Sequence, residues 1–145
     1  MTQEERTLLH IDLSERIPYD TVLKVKGLVT SNEEFGDAYL DTVSWYEEVG
    51  VRDGSRVSYD IADVRPYLRP MDSMTEEECD MVEVILGGEN IFDFMRNGDI
   101  ILKEGIFTQV MLSRLYDYFK SIHVDYRGLI PMGLALEAKE GMYSN

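Results

Sequence analysis

A hairpin signal near the middle of the chain constrains the fold more than any other feature. Asp53-Gly54 is followed by a strictly alternating segment in which single polar residues separate Val57, Tyr59 and Ile61. Asp-Gly pairs favour tight turns because both residues tolerate left-handed backbone, and an alternation of period two indicates a strand with one buried face. A second apolar run, 38–51, precedes the turn and supplies a partner. The sequence therefore predicts an antiparallel hairpin.

A third β-rich run enlarges this hairpin into a small sheet. It covers 22–29, with Lys24 and Lys26 alternating towards solvent, so residues 20–62 are predicted to form a twisted antiparallel meander. A sheet of this size curls into a partly open barrel, such as an SH3-like barrel, or packs against a helix. Pro66 and Pro70 follow the meander. Because proline has no N–H to offer an inner strand, 62–70 is predicted to form a helical turn and a covering strand.

A helix is predicted ahead of the sheet. Leu9, Leu13 and Ile17 recur at intervals of four, as in a helix, although the apolar residues of 9–13 also alternate as in a strand. We favour a helix over 2–16, because Glu4 and Glu5 suit the positive end of the helix dipole.

The second half of the chain is predicted to be mainly helical. Ser73 and Thr75 are each followed three residues later by Glu, so either pair can form a capping box, and Gly87-Gly88 ends the helix that follows. A second short helix is expected after Asn90, and a strongly amphipathic one from Thr108 to about residue 122. The tail, 125–142, is apolar, so we expect it to dock on the body of the protein.

These elements predict an α+β protein in two parts. Residues 1–71 hold the short helix and the curled antiparallel sheet, and residues 72–145 form a helical subdomain with the docked tail. A chain of 145 residues is long enough to bury its core without disulfides. The single cysteine, Cys79, excludes an internal disulfide and a multi-cysteine zinc site.

The charge excludes two kinds of partner. The chain has 28 acidic and 14 basic residues, and its net charge of −14 opposes direct binding to nucleic-acid phosphates and to anionic membranes. Residues 1–72 carry 15 acids and 8 bases, and residues 73–145 carry 13 acids and 6 bases, so the charge is spread evenly. The sequence has no secretory signal pattern and no apolar run near the ~20 residues of a membrane span. We expect a cytoplasmic protein without cofactor or metal.

The first group of candidate binding residues is aromatic. On the predicted sheet these residues either form the core or line a groove for peptides or stacked bases, and the core is the commoner role. The negative charge disfavours nucleic-acid bases as the ligand. The set consists of Tyr39, Trp45, Tyr46, Tyr59 and Tyr67.

The second group lies at the start of the C-terminal tail. His123 and Asp125 are two residues apart, so in an extended segment they point the same way, and with Glu137 they can make a small metal or acid–base site. Tyr126 and Arg127 follow directly. The interpretation we favour is structural: His123 ends the helix, while Asp125 and Arg127 pin the tail by hydrogen bonds. We accordingly predict no catalytic residue.

Two further features have a structural interpretation as well. Cys79 follows three Glu residues, which raise a thiol pKa, and its inward spacing favours a place in the core over a role as nucleophile. The run 76–83 contains five acids and is typical of a solvated helix face. Its alternative interpretation is a mimic of nucleic-acid phosphates.

Two segments carry a resemblance to a known group of proteins. They are 64–78 (VRPYLRPMDSMTEEE) and 123–138 (HVDYRGLIPMGLALEA). A third, shorter match is Arg16-Ile-Pro-Tyr-Asp, which precedes the first strand. They cover about a third of the chain and resemble small proteins without assigned activity from Bacteroides-type gut bacteria and their phages. The resemblance implies a bacterial, phage or mobile-element origin, and it brings no activity and no catalytic residues.

Three function hypotheses follow from the sequence. The leading one is a non-enzymatic module that binds a protein partner through the sheet aromatics or the C-terminal segment. The second is an acidic inhibitor or decoy of a host protein that handles nucleic acid. The third is a small hydrolase-like enzyme that uses His123, Asp125 and Glu137.

Overall fold

The computed structural model describes residues 1–86 and 109–143, apart from the side chains of residues 109 and 110. The protein is α+β, with a helix followed by a six-stranded mixed sheet and later helices. The sheet has the strand order β4-β3-β2-β1-β5-β6. Among the described residues, the helices are α1 (Gln3–Arg16), α2 (Glu76–Ile85) and α3 (Gln109–Ser121), and the strands are β1 (Val22–Lys26), β2 (Phe35–Val43), β3 (Glu48–Val51), β4 (Ser58–Asp60), β5 (Val64–Leu68) and β6 (Leu136–Glu137).

The N-terminal helix is confirmed, and its start has a local cause. Thr2 and Glu5 form a capping box, in which each side chain accepts a hydrogen bond from the other residue's backbone N–H. Leu9 and Leu13 are fully buried on one face, so the helical periodicity prevails over the strand alternation. After α1, a short 3-10 turn at Ile17–Tyr19 leads into the sheet.

The meander is confirmed, but its second apolar run is broken. Strands β1 to β4 pair in sequence order and antiparallel, but the predicted tight turn at Asp53-Gly54 is a longer loop, 52–57, between β3 and β4. The run 38–51 is divided between β2 and β3 by a tight turn at 44–47. The placement of Trp45 and Tyr46 on sheet strands is therefore wrong, since both lie in this turn.

Strand β5 corrects the expectation drawn from Pro66. It is an inner strand, antiparallel to β1 and parallel to β6, so the sheet is mixed rather than wholly antiparallel. The Leu68 carbonyl accepts a hydrogen bond from Ala138 N (2.8 Å), on the β6 side. Since alternate residues of a strand direct their backbone groups to the same side, the Pro66 nitrogen also faces β6. Pairing with β6 begins only at Tyr67, so no ladder bond is lost.

In the part of the chain that the structure describes, the buried residues form two clusters. The first packs α1 against the inner face of the sheet, with Leu9, Leu13, Leu23 and Val25 at its centre. The second joins α2 to α3 through Val82, Leu86, Leu115 and Phe119. Leu129, Leu134 and Ala135 of the tail are buried in the first cluster. The chain beyond residue 72 thus contributes to both clusters.

Helix α2 begins at one of the two predicted capping boxes. Thr75 and Glu78 form it reciprocally, as Thr2 and Glu5 do in α1. The expected stop at Gly87-Gly88 and the short helix after Asn90 lie outside the described residues.

Within the described ranges, no helix has the length and apolar character needed to cross a membrane.

Candidate functional site

The turn between β2 and β3, hereafter the aromatic tip (residues 44–47), presents two large side chains to solvent. Trp45 is 93% exposed and Tyr46 is 87% exposed. Exposed single apolar residues are common on proteins, but two adjacent aromatic rings at this level of exposure form a marked apolar surface.

Backbone and side-chain hydrogen bonds hold the aromatic tip in one shape. Glu47 N donates to Ser44 O (3.1 Å), and Ser44 N donates to Glu48 O (2.9 Å). This is the pattern of a three-residue hairpin loop, with Trp45 and Tyr46 as its first two loop residues. The Ser44 hydroxyl adds two bonds, accepting from Tyr46 N and Glu48 N at 3.2 Å each.

Glu47 occupies the loop position that glycine usually fills. Its backbone is left-handed, with φ of 59°, a conformation that costs a side-chain-bearing residue on the order of 1 kcal/mol. Its carboxylate accepts hydrogen bonds from Arg6 Nε (2.6 Å) and Gln3 Nε2 (3.3 Å), both on α1. The Arg6 hydrogen bond lowers the pKa of Glu47. Arg6 also binds both oxygens of Asp60 on β4, so one guanidinium ties the tip to a helix and to the sheet edge.

The other three sheet aromatics do not join the aromatic tip. Tyr39 is half-exposed on the outer face of the sheet, with the Arg52 guanidinium 4.9 Å from its ring centre. Tyr59 is buried in the first core cluster, and its hydroxyl accepts from Val29 N at 3.1 Å. Tyr67 is buried and donates to Asp37 (3.0 Å); burial and that hydrogen bond raise its pKa. The predicted set thus divides into two exposed tip residues, one half-exposed residue and two buried ones.

His123 ends helix α3 in a left-handed conformation, with φ of 62°. His123 N donates to Lys120 O (3.1 Å) and Val124 N donates to Phe119 O (3.0 Å). These two bonds define a Schellman motif, in which His123 stands at the position that glycine most often occupies. The structural interpretation of His123 is thereby supported.

A ring stack covers His123. Its imidazole lies 3.7 Å from the ring centre of Tyr143, at an interplanar angle of 10°. Burial lowers the pKa of His123 to about 4, with the positive charges of Arg16 and Arg69 acting in the same direction. The Tyr143 hydroxyl accepts from Val22 N (2.9 Å) and donates to Tyr67 O (2.7 Å), so the tail is fixed to β1 and β5. Burial raises the pKa of Tyr143 to about 12.

The Asp125 carboxylate accepts hydrogen bonds from the backbone. Its two carboxylate oxygens accept from Leu129 N (2.8 Å) and Ile130 N (2.9 Å), and they thereby shape the turn that returns the tail to the sheet. Glu137 is exposed on β6. Because the Asp125 oxygens satisfy backbone donors, they are poorly suited to act as a base with His123. In the described ranges, no group of three or more His, Cys, Asp or Glu side chains is arranged to hold a metal ion.

Arg127 belongs to a buried ion network that the sequence interpretation missed. Asp12 on α1 accepts from Arg16 Nε (2.7 Å) and Arg127 Nε (3.1 Å), and both Asp12 and Arg16 are fully buried. Arg127 also pairs with Glu15, and Arg16 donates to Val124 O (3.0 Å). Tyr126 lies beside both guanidinium groups, and burial raises the pKa of its hydroxyl. The sequence does carry a signal for this network, because on a helical projection of α1 Asp12 and Arg16 lie on the same face as Leu9 and Leu13.

The acidic run of α2 is partly used within the protein. Glu78 caps its own helix and pairs with Arg69 (2.6 Å), which lowers the pKa of the carboxyl. Cys79 is half-buried.

Comparison of the chain with models of protein families, with curated proteins and with solved structures finds no match.

Proposed function

We propose that the protein is a non-enzymatic interaction module that binds a protein partner through the aromatic tip. The observation that carries the proposal is the pair Trp45 and Tyr46, 93% and 87% exposed on a turn whose shape is fixed from both sides. In this proposal the protein acts in the cytoplasm of a bacterium, encoded there by the chromosome, a phage or a mobile element, and its curled sheet serves as an SH3-like scaffold.

The physical argument rests on preorganisation. Aromatic side chains contribute roughly 150–250 Å² each when buried, and tryptophan and tyrosine are the residues most enriched at interface hot spots. A turn that is already ordered loses little conformational entropy when it binds. Arg6, Glu47 and Ser44 supply that order here. The tip therefore combines a large apolar area with a low cost of association.

The charge around the tip indicates how a partner would approach. Asp41 and Glu48 are exposed in the strands that flank the tip, and the ion pairs of the described residues include neither of them. Together with the net charge of −14, they favour a partner surface with positive charge, because complementary charge raises the association rate.

Affinity capture from the lysate of a Bacteroides host tests the proposal. Wild type is compared with W45A/Y46A and with V84A, which removes an apolar side chain of 72% exposure from α2. We expect a partner that W45A/Y46A loses and V84A retains, with all three proteins melting at similar temperatures. Capture that W45A/Y46A leaves intact contradicts the proposal, as does a large fall in its melting temperature.

A further inference from the structure

Three basic side chains lie together on the outer face of the sheet. They are Lys24 and Lys26 on β1 and Arg65 on β5, where Arg65 stands directly opposite Lys24. The ion pairs of the described residues include none of the three. Their grouping is notable because acids outnumber bases two to one in this chain.

The carboxylate nearest to Lys24 in strand register already binds other residues. Asp37 stands opposite Lys24 across the β1–β2 pair. Its carboxylate instead binds Lys139 Nζ (3.0 Å) and the Tyr67 hydroxyl (3.0 Å). Lys24 Nζ lies 5.0 Å from the ring centre of Phe35, where it is held by a cation–π contact.

Arg65 is held in place without being neutralised. Its Nη1 donates to the carbonyls of Ala62 (3.0 Å) and Val64 (2.8 Å), and its Nε donates to Gly133 O (3.1 Å). Carbonyl dipoles orient the guanidinium through Nε and Nη1, and Nη2 donates to no described residue. An oriented guanidinium with free N–H groups matches the geometry of a phosphate or carboxylate.

A small depression brings these groups together. It has a volume of about 280 Å³ and is lined by Lys24, Lys26, Phe35, Ala62, Asp63 and Arg65. Three positive charges face one carboxylate, so the lining favours a doubly negative group. Phe35, which is 40% exposed, offers an apolar wall. The acidic residues Glu33, Glu34 and Asp37 line a separate depression that shares Phe35 and Lys24.

We propose that this depression binds a small phosphorylated ligand. Its phosphate lies among Arg65, Lys24 and Lys26, its planar or apolar part packs on Phe35, and Asp63 accepts a hydrogen bond from a hydroxyl group. The volume is near the lower end of the range for ligand sites, which suits a phosphate with one ring rather than a larger molecule. This site is separate from the aromatic tip, and the proposal does not depend on a protein partner.

Titration followed by ¹⁵N NMR tests the site on the full chain. The probes are inorganic phosphate and phenyl phosphate, each added at constant ionic strength set with sodium chloride. We expect saturable shifts at the amides of Lys24, Lys26, Phe35 and Arg65, and tighter binding of phenyl phosphate because of its ring. If the two probes bind equally, the site takes the phosphate alone and the assigned role of Phe35 is overturned.

Charge-matched variants separate this site from general electrostatics. R65Q and K24Q each remove one positive charge from the depression, and R56Q removes one from the β3–β4 loop. We expect about tenfold weaker binding in R65Q and K24Q, as for the loss of one charge-assisted hydrogen bond, and unchanged binding in R56Q. The absence of saturable shifts in the wild type overturns the proposal, as does an equal loss in all three variants.

Discussion

Four described residues other than glycine have left-handed backbone, and two of them, Glu47 and His123, decide the shape of the chain. Glu47 closes the aromatic tip, and His123 ends helix α3. In each case the side chain has a contact that glycine lacks: an ion pair with Arg6 for Glu47, and a ring stack on Tyr143 for His123. We infer that these contacts offset the backbone strain. Sequence patterns do not reveal such positions, because the contacts come from residues far away in the chain.

Substitutions at Glu47 separate backbone strain from the ion pair. E47G and E47A both lose the contact with Arg6, but only alanine keeps a Cβ in the left-handed conformation. We expect E47A to be the less stable of the two by an amount close to the cost of that strain. Urea unfolding measures the difference, and equal stabilities of the two variants would contradict this explanation.

The buried imidazole of His123 makes stability depend on pH. Burial lowers its pKa from 6.5 to about 4, so the folded protein binds this proton more weakly than the unfolded chain does. The resulting stabilisation is complete above pH 6.5 and is lost as the pH falls towards 4, by at most about 3 kcal/mol.

The matched variant for this effect is H123N, since asparagine tolerates the left-handed backbone and does not titrate. We expect wild type to lose more stability than H123N between pH 7 and pH 4, as measured by urea unfolding at each pH. Parallel pH profiles of the two proteins would show that His123 is not the titrating group.

At the scale of elements, local signals in the sequence identify the helices and hairpins better than they identify the sheet. Glu4 and Glu5 mark one helix start, Thr75 marks another and Asp53-Gly54 marks a loop, because each acts on its immediate neighbours. The inner position of β5 could not be predicted, since Pro66 is tolerated only because β6 begins to pair one residue later. The ion network of Asp12 likewise depends on Arg127, 115 residues away.

Removing the acid of this network should damage the contact between α1 and the tail. D12N leaves the buried Arg16 guanidinium without its counter-ion, and a broken buried pair costs about 3–5 kcal/mol. We expect D12N to be destabilised to that extent in urea unfolding. D12L/R16M removes both charges and should be more stable than D12N. If the double variant is the weaker one, the network contributes more than charge compensation.

At the scale of the whole molecule, the two core clusters are joined by the tail. Residues 129–135 return from the second cluster to the first, and Tyr143 then fixes the chain to β1 and β5. Such long-range docking was expected from the apolar composition of the tail, but its route over α1 was not. Of the candidate site, the sequence singles out Trp45 and Tyr46 as candidate binding residues, but it does not predict their place in a turn, because the turn lacks glycine and proline.

The fluorescence of Trp45, the single tryptophan, reports on the electrostatic potential around the aromatic tip. Trp45 is exposed on a protein of net charge −14, with Asp41 and Glu48 nearby. We expect its fluorescence to be quenched more strongly by caesium than by iodide at low ionic strength, and the difference to shrink as salt screens the charge. Equal quenching by both ions at low salt would show that the tip is electrostatically neutral.

In the proposed function, the aromatic tip is the surface by which this protein binds its partner. Photo-crosslinking in host cells tests it most directly, with benzoylphenylalanine in place of Tyr46 in one protein and in place of Val84 in another. We expect a discrete covalent adduct from position 46 that position 84 does not give. The absence of an adduct from position 46, or the same adducts from both positions, would contradict the account.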